Sequence, residues 1–248
     1  MATTDWTNNV PLATPSTPNA SASPEISASS KESVSDMWTR VSLTKQLVAD
    51  LKQTGPEKAL AQLDATIRAF PDVARFCHPV AHELGHAALA KYAGDFKKVS
   101  EFRSDVCGSG YLHGIVEEKL RKSNDPESDV IELCAPEQTN SCLHGIGHGA
   151  MFVSGLNIEN AEELCSKFPS GRMVTSCSEG IFMQLFEPDE SDPKAVAKLA
   201  KDKLSKDPLY PCPDQPMEFR SGCYYYAPVY FLQRNKFALG MTIMRATG

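Results

Sequence analysis

The chain has 248 residues, 42% of them hydrophobic and 23% charged, with a formal net charge of −6; these proportions suit a soluble globular protein of one sizeable domain or two small ones. The acidic balance, with no Lys/Arg cluster, argues against nucleic acid or an anionic membrane surface as partner, because nothing is present to neutralise phosphates. No apolar run approaches the roughly 18 residues that cross a bilayer, so no transmembrane segment is expected.

The first ten residues, MATTDWTNNV, have neither a basic nor an apolar region of the kind a secretory signal needs. The eight cysteines, regularly placed, suit an oxidising compartment better than the cytosol. Together these features lead us to expect an exported protein (periplasmic, extracellular or membrane-anchored) whose signal or anchor lies outside this sequence.

Residues 1–32 are rich in Ser, Thr, Pro, Ala and Asn and read as a disordered linker, since such a segment cannot bury enough apolar surface to offset its ordering entropy. Residues 33–248 read as one helical domain. Val34, Met37, Trp38, Val41, Val48 and Leu51 share one helix face, and Gly55-Pro56 separates them from a second stripe of Leu60, Leu63, Ile67 and Phe70. No run of alternating β-branched residues suggests a strand.

From Cys77 the sequence repeats. Cys107-Gly-Ser-Gly-Tyr-Leu-His113-Gly-Ile resembles Cys142-Leu-His144-Gly-Ile-Gly-His148, which resembles Cys177-Ser-Glu179-Gly-Ile-Phe-Met183; each cysteine follows the last by 35 residues. A degenerate copy begins at Cys223 and an earlier one at Cys77. The spacing predicts an all-α fold of stacked helical hairpins, solenoid-like, with the repeat-bearing helices starting near 77, 107, 142, 177 and 223. Ala161–Cys165 and Ala195–Leu199 exemplify the short first helix of a hairpin. One cysteine on either side of each connecting loop predicts the disulfides Cys134–Cys142, Cys165–Cys177 and Cys212–Cys223, and leaves Cys77 and Cys107 at equivalent places in neighbouring repeats.

In repeat length and in the Cys-x7-Cys hairpin of Cys134 and Cys142, residues 77–232 resemble the cysteine-rich Sel1-like helical repeats. That resemblance implies a fold and a peptide- or protein-binding surface, and no chemistry. Two features depart from it: the other loops are longer, and that family does not require histidine.

All six histidines, His78, His82, His86, His113, His144 and His148, fall in or at the start of the second helix of a hairpin. Residues four apart share a helix face, so His82 pairs with His86, His144 with His148, His113 with Glu117 and Glu179 with Met183. Alignment of the repeats places His86, His113, His148 and Met183 in one column, and His82, Ser109, His144 and Glu179 in another. Imidazoles and carboxylates converging in this way are ligands for a divalent transition metal, zinc first, with iron or copper as alternatives. The expected ligands are His82, His86, His113, His144 and His148; Glu83, Glu117 and Glu179 are expected as further ligands or general bases. His78 precedes a proline and is expected to cap the helix or to support the ligands from behind. The seven glycines inside the predicted helices fit close helix packing or the close approach of a ligand.

His82-Glu-Leu-Gly-His86 resembles the HExxH motif of zincin metallopeptidases, which implies two zinc-binding histidines and Glu83 as general base, with Glu101, Glu117 or Glu118 as third ligand. Tyr92 and Leu89 stand where the metzincin extension has His and Gly, and residues 33–76 read as helices where zincins usually carry a sheet. The functional expectation is a metal-binding helical protein, possessing a His/Glu site that would suit a metal-dependent hydrolase or oxidoreductase. The alternatives are a zincin-type peptidase and a non-catalytic partner-binding scaffold.

Overall fold

Side-chain caps open six of the helices. Thr39, Asp95, Asp125, Thr139, Asn157 and Ser170 each accept a hydrogen bond from the backbone N–H three residues on, which satisfies one of the donors that a helix start leaves unpaired. The computed structural model describes residues 39–135, 138–187, 194 and 198–234. These form α1 (Arg40–Thr54), α2 (Pro56–Ala69), α3 (Cys77–Lys91), α4 (Phe96–Ser100), α5 (Gly110–Arg121), α6 (Pro126–Glu132), α7 (Asn140–Val153), α8 (Ile158–Cys165), α9 (Gly171–Phe186), α10 (Lys201–Leu204) and α11 (Arg220–Arg234), with no strand among the described residues. The expected linker 1–32, the stripe members Val34, Met37 and Trp38, and residues 195–197 lie outside the described residues.

Five long helices, α3, α5, α7, α9 and α11, stack in chain order, each packed on the next, while α1 packs on α2 and α3. They run parallel. His78 meets Gly110 and His82 meets Gly114, His113 meets Gly145 and Glu117 meets Gly149, and further along Phe186 stacks near Tyr230 while Ser178 meets Gly222. The shorter helices α4, α6, α8 and α10 each precede a long one and complete a hairpin.

The glycines inside the long helices sit where backbones cross. A Cβ at Gly85 would fall on the Tyr111 carbonyl oxygen, one at Gly114 on that of His82, one at Gly147 on that of Cys177 and one at Gly180 on that of His144. Only glycine permits this approach, and it draws neighbouring helix axes close enough for short side chains from separate helices to meet.

Disulfides link Cys134 to Cys142, Cys165 to Cys177 and Cys212 to Cys223 within hairpins, and Cys77 to Cys107 between successive ones. The eight cysteines are thereby all paired. Two apolar clusters flank α5. Tyr111 and Ile115 join Leu43, Leu47, Leu51, Leu63 and Leu84 on one side, while Leu112, Val116 and Leu120 join Ile146, Ile181, Phe182 and Phe231's neighbour Tyr230 on the other. The α1 stripe differs from the expected one: Leu43, Leu47 and Leu51 are fully buried, Val48 packs at their edge, and Val41 is 75% exposed. The sequence pattern admitted both faces, and the more strongly apolar leucine row is the one that packs on α3.

Candidate metal centre

α5 is the middle wall of the site, with α3 on one side and α7 on the other. α3 carries His78, His82 and His86 along one face, α5 carries His113 and Glu117, and α7 carries His144 and His148. The close helix crossings bring rings from all three helices together: His82 lies 5.6 Å from His113 and 4.8 Å from His148, and His113 lies 4.7 Å from His144, centroid to centroid.

Two groups emerge whose possible ligand atoms all lie within 4.8 Å of one another, namely His78, His82, His113 and His148, and His82, His86 and Glu117. The chain therefore has buried His/Glu groups that could hold a metal ion. Glu117 is 3% exposed, His113 4% and His148 0%.

The orientation of the first group is fixed by partners behind the rings. His78 Nδ1 is 2.6 Å from the Cys107 carbonyl oxygen, His82 Nδ1 is 3.1 Å from Glu117 Oε2, and His148 Nδ1 is 2.9 Å from Gln184 Oε1. Each partner oxygen can only accept, so each Nδ1 carries the proton and donates it outward. For neutral rings this leaves the Nε2 lone pair directed at the common centre, the arrangement in which a hydrogen-bonded partner orients a metal-ligating histidine. Cys107, Gly108 and Ser109 all have positive φ, of 56°, 61° and 63°. For two non-glycine residues that is a strained path; the Cys77–Cys107 bridge anchors its start, and it aims the Cys107 carbonyl at His78.

At the centre, His82 Nε2 lies 3.1 Å from His78 Nε2, and His78 Nε2 lies 3.4 Å from His113 Nδ1. Two nitrogens that both present lone pairs repel at this distance unless a cation sits between them, either a proton or a metal ion. One proton cannot satisfy the whole group, because His148 Nε2 is also buried without a hydrogen-bond partner. Four nitrogens on a tetrahedral ion with bonds of about 2.0–2.1 Å would stand roughly 3.3 Å apart, so the two measured edges fit such an ion.

Burial, reinforced by the neighbouring imidazoles, lowers His78 to about 4 and His144 to about 3, and holds His113 and His148 well below the usual histidine range. All four are neutral near pH 7, the form that binds metal. His86 behaves oppositely: burial alone would lower it, but Glu117 and Glu83 push it up to about 10. Burial likewise opposes ionisation of Glu117, yet His82 and His86 hold its carboxyl well below the usual carboxylate range.

The remaining expected site residues lie at the edges. His86 Nε2 faces Glu117 Oε1 at 3.1 Å, so its level in the stack is that of Glu117, and His82 stands level with His113. The expected column of His86, His113 and His148 is thus shifted by one helical turn on α3. His144 belongs to neither converging group; its Nε2 lies 3.3 Å from Met183 Sδ. Together with Glu179, Met183 and Tyr226 it lines an opening of about 310 Å³ onto His78 and His113. Glu83 has a half-exposed side chain, 3.8 Å from His86 Nδ1.

His78, expected only in a supporting role, is at the centre. Pro79 lies in the first turn of α3, where a proline is tolerated, so His78 is helical and points with His82. Gln184, which sequence reasoning missed, holds His148 from behind; its only sequence signal was its place one residue after the Met183 column.

No family model matches the chain, and no curated protein or solved structure matches it at a significant level.

Proposed function

We propose that the protein binds a divalent transition-metal ion, zinc first, through His78, His82, His113 and His148 from three successive helices, and that it works in an oxidising compartment outside the cytosol. The observation that carries this reading is the outward-bonded Nδ1 of His78, His82 and His148, which turns lone pairs toward one buried centre. The four disulfides support the compartment, and among the described residues no helix is long and apolar enough to cross a membrane.

The test is elemental analysis of protein purified from an oxidising compartment without added metal, followed by zinc titration of the chelator-treated protein. Retained metal, or stoichiometric zinc uptake that is lost in a His78→Ala/His148→Ala double variant, is the expected result. Wild type that takes up no zinc while keeping its helical circular dichroism overturns the proposal.

A second reading is a zincin-type peptidase. The grouping of Glu117 with His82 and His86 favours it, since Glu117 is one of the glutamates able to complete an HExxH set. Under this reading Glu83 activates water, and Glu83→Gln abolishes cleavage of a peptide library while leaving metal content intact. Cleavage that persists in Glu83→Gln rules this mechanism out.

A further inference from the structure

The two ligand groups share His82, and they use opposite edges of its ring. Nε2 faces His78 at 3.1 Å, within the four-histidine group, and Nδ1 faces Glu117 at 3.1 Å, within the group that includes His86. Building on the metal-binding reading above, we infer that the centre is dinuclear, with the His82 imidazole bridging a closed four-histidine subsite and a second subsite formed by His82, His86 and Glu117.

Geometry supports the second subsite independently of the first. Both oxygens of the Glu117 carboxylate face an imidazole at 3.1 Å, Oε2 in a hydrogen bond with His82 and Oε1 beside His86 Nε2, which is buried without a hydrogen-bond partner. A carboxylate this deeply buried needs compensating positive charge close by. Arg121 does not supply it well: its Nη1 is 3.9 Å from Glu117 Oε1, and it sits closer to Glu118 at 3.3 Å. In the metal-free protein the protonated His86, 3.1 Å away, supplies it; an ion held by His82, His86 and Glu117 takes over that role once the His86 proton has left.

Each subsite also has its own route to solvent. The opening beside His144 reaches His78 and His113, whereas His86 lines a separate cleft of about 480 Å³ with Glu83, Val48 and Lys52.

The two subsites differ in coordination. Four histidines close a tetrahedral ion and suit a structural role. His82, His86 and Glu117 supply three ligands and leave a fourth position toward the cleft, the pattern of a site where water or substrate binds. When the second ion binds, it takes the place of the His82 Nδ1 proton, which leaves to solvent along with any proton on His86. The ring then bridges as imidazolate, with the ions roughly 6 Å apart, given bonds of about 2.0–2.1 Å on either side.

Copper(II) is the probe, because its unpaired electron reports on a neighbour and no thiol competes for it among the eight disulfide-bonded cysteines. Wild type is expected to bind two Cu(II) per chain, with an electron paramagnetic resonance signal at liquid-helium temperature that accounts for well under half of the copper, because bridged ions couple. His86→Ala is expected to bind one, with its full signal. One Cu(II) in the wild type overturns the dinuclear centre while leaving the metal-binding reading in place, and two Cu(II) with full uncoupled signal overturn the bridge. No Cu(II) or Zn(II) bound to folded wild type overturns the underlying metal-binding reading itself.

Discussion

α7 and α9 are built on one plan and put to different uses. Each opens on a side-chain cap, Thr139 or Ser170, each carries a cysteine bridged to the end of the preceding short helix or just past it, and each presses a glycine onto its neighbour's backbone. At the two positions one turn apart that face the preceding long helix's neighbourhood, α7 has His144 and His148, where α9 has Glu179 and Met183. The frame is therefore carried by Cys, Gly and the apolar rows, and the chemistry by two variable positions. α9 has become support: Gln184 orients His148, and Met183 and Glu179 border the opening.

Ligand removal should separate the two helices most sharply. His148→Ala is expected to weaken zinc binding by more than the roughly 10–100-fold typical of losing a hydrogen-bonded partner behind a ligand, whereas Met183→Leu leaves affinity unchanged; isothermal titration reads both. Equal losses would mean that α9 is part of the ligand set.

Acidification of the metal-free protein tests the same contrast through protons. His78 and His144 have folded-state values of about 4 and 3, and His113 and His148 are also depressed. Below pH 6.5 the unfolded chain binds protons that the folded one refuses, so stability is present above 6.5 and falls as the pH drops toward 4, by about 1.4 kcal/mol per pH unit for each such histidine. Glu162 on α8, raised to about 8 mainly by burial, and Glu179 on α9, also raised by burial, act with the opposite sign above 4.5 but are two groups against four histidines. His86, raised to about 10, contributes fully below 6.5 and loses that contribution as the pH climbs from there through 10, above the window in which the other histidines act. Urea denaturation between pH 7 and 4.5 should show a net loss, and bound zinc should reduce it. A flat profile would mean that the imidazoles are solvated rather than buried.

Glycine substitution gives the smallest and most local effect. Gly114→Ala and Gly222→Ala each force a Cβ onto neighbouring backbone, at His82 and at Ser178–Glu179 respectively. Each is expected to destabilise by about 1–3 kcal/mol, a melting shift of roughly 2–4 °C per kcal/mol for a chain this long. Only Gly114→Ala, which parts α3 from α5, should also lower metal content.

Much of this is legible in the sequence. The cysteine pairs within hairpins, the long helices and the gathering of the histidines follow from a 35-residue period that any register would preserve. The level of each ring is blurred by a motif alignment that sets His86 against His113 although His86 follows its cysteine by nine residues and His113 by six; in the structure α3 stands one turn away from that alignment, and His82 and His86 exchange partners. Gly85 and Gly114 meeting opposite backbone hold that register, and the cysteines mark it: His82 and His86 follow Cys77 by five and nine residues, where His113 and Glu117 follow Cys107 by six and ten. His78 was misjudged for a local reason: a histidine before proline reads as a boundary, and here the proline lies inside the first turn.

The parallel course of the five long helices has an electrostatic consequence. In an antiparallel bundle, peptide dipoles of neighbouring helices cancel; here they point the same way, so partial positive charges of about half a unit each gather at one end of the stack and repel. Each disulfide sits in the N-terminal half of a long helix or just before it, at Cys77, Cys107, Cys142, Cys177 and Cys223. One of these bonds, Cys77–Cys107, ties the start of α3 to the chain entering α5 against that repulsion, while the other three tie a long helix to its own hairpin; the same field favours an electron-rich, uncharged imidazole over an imidazolium near those starts.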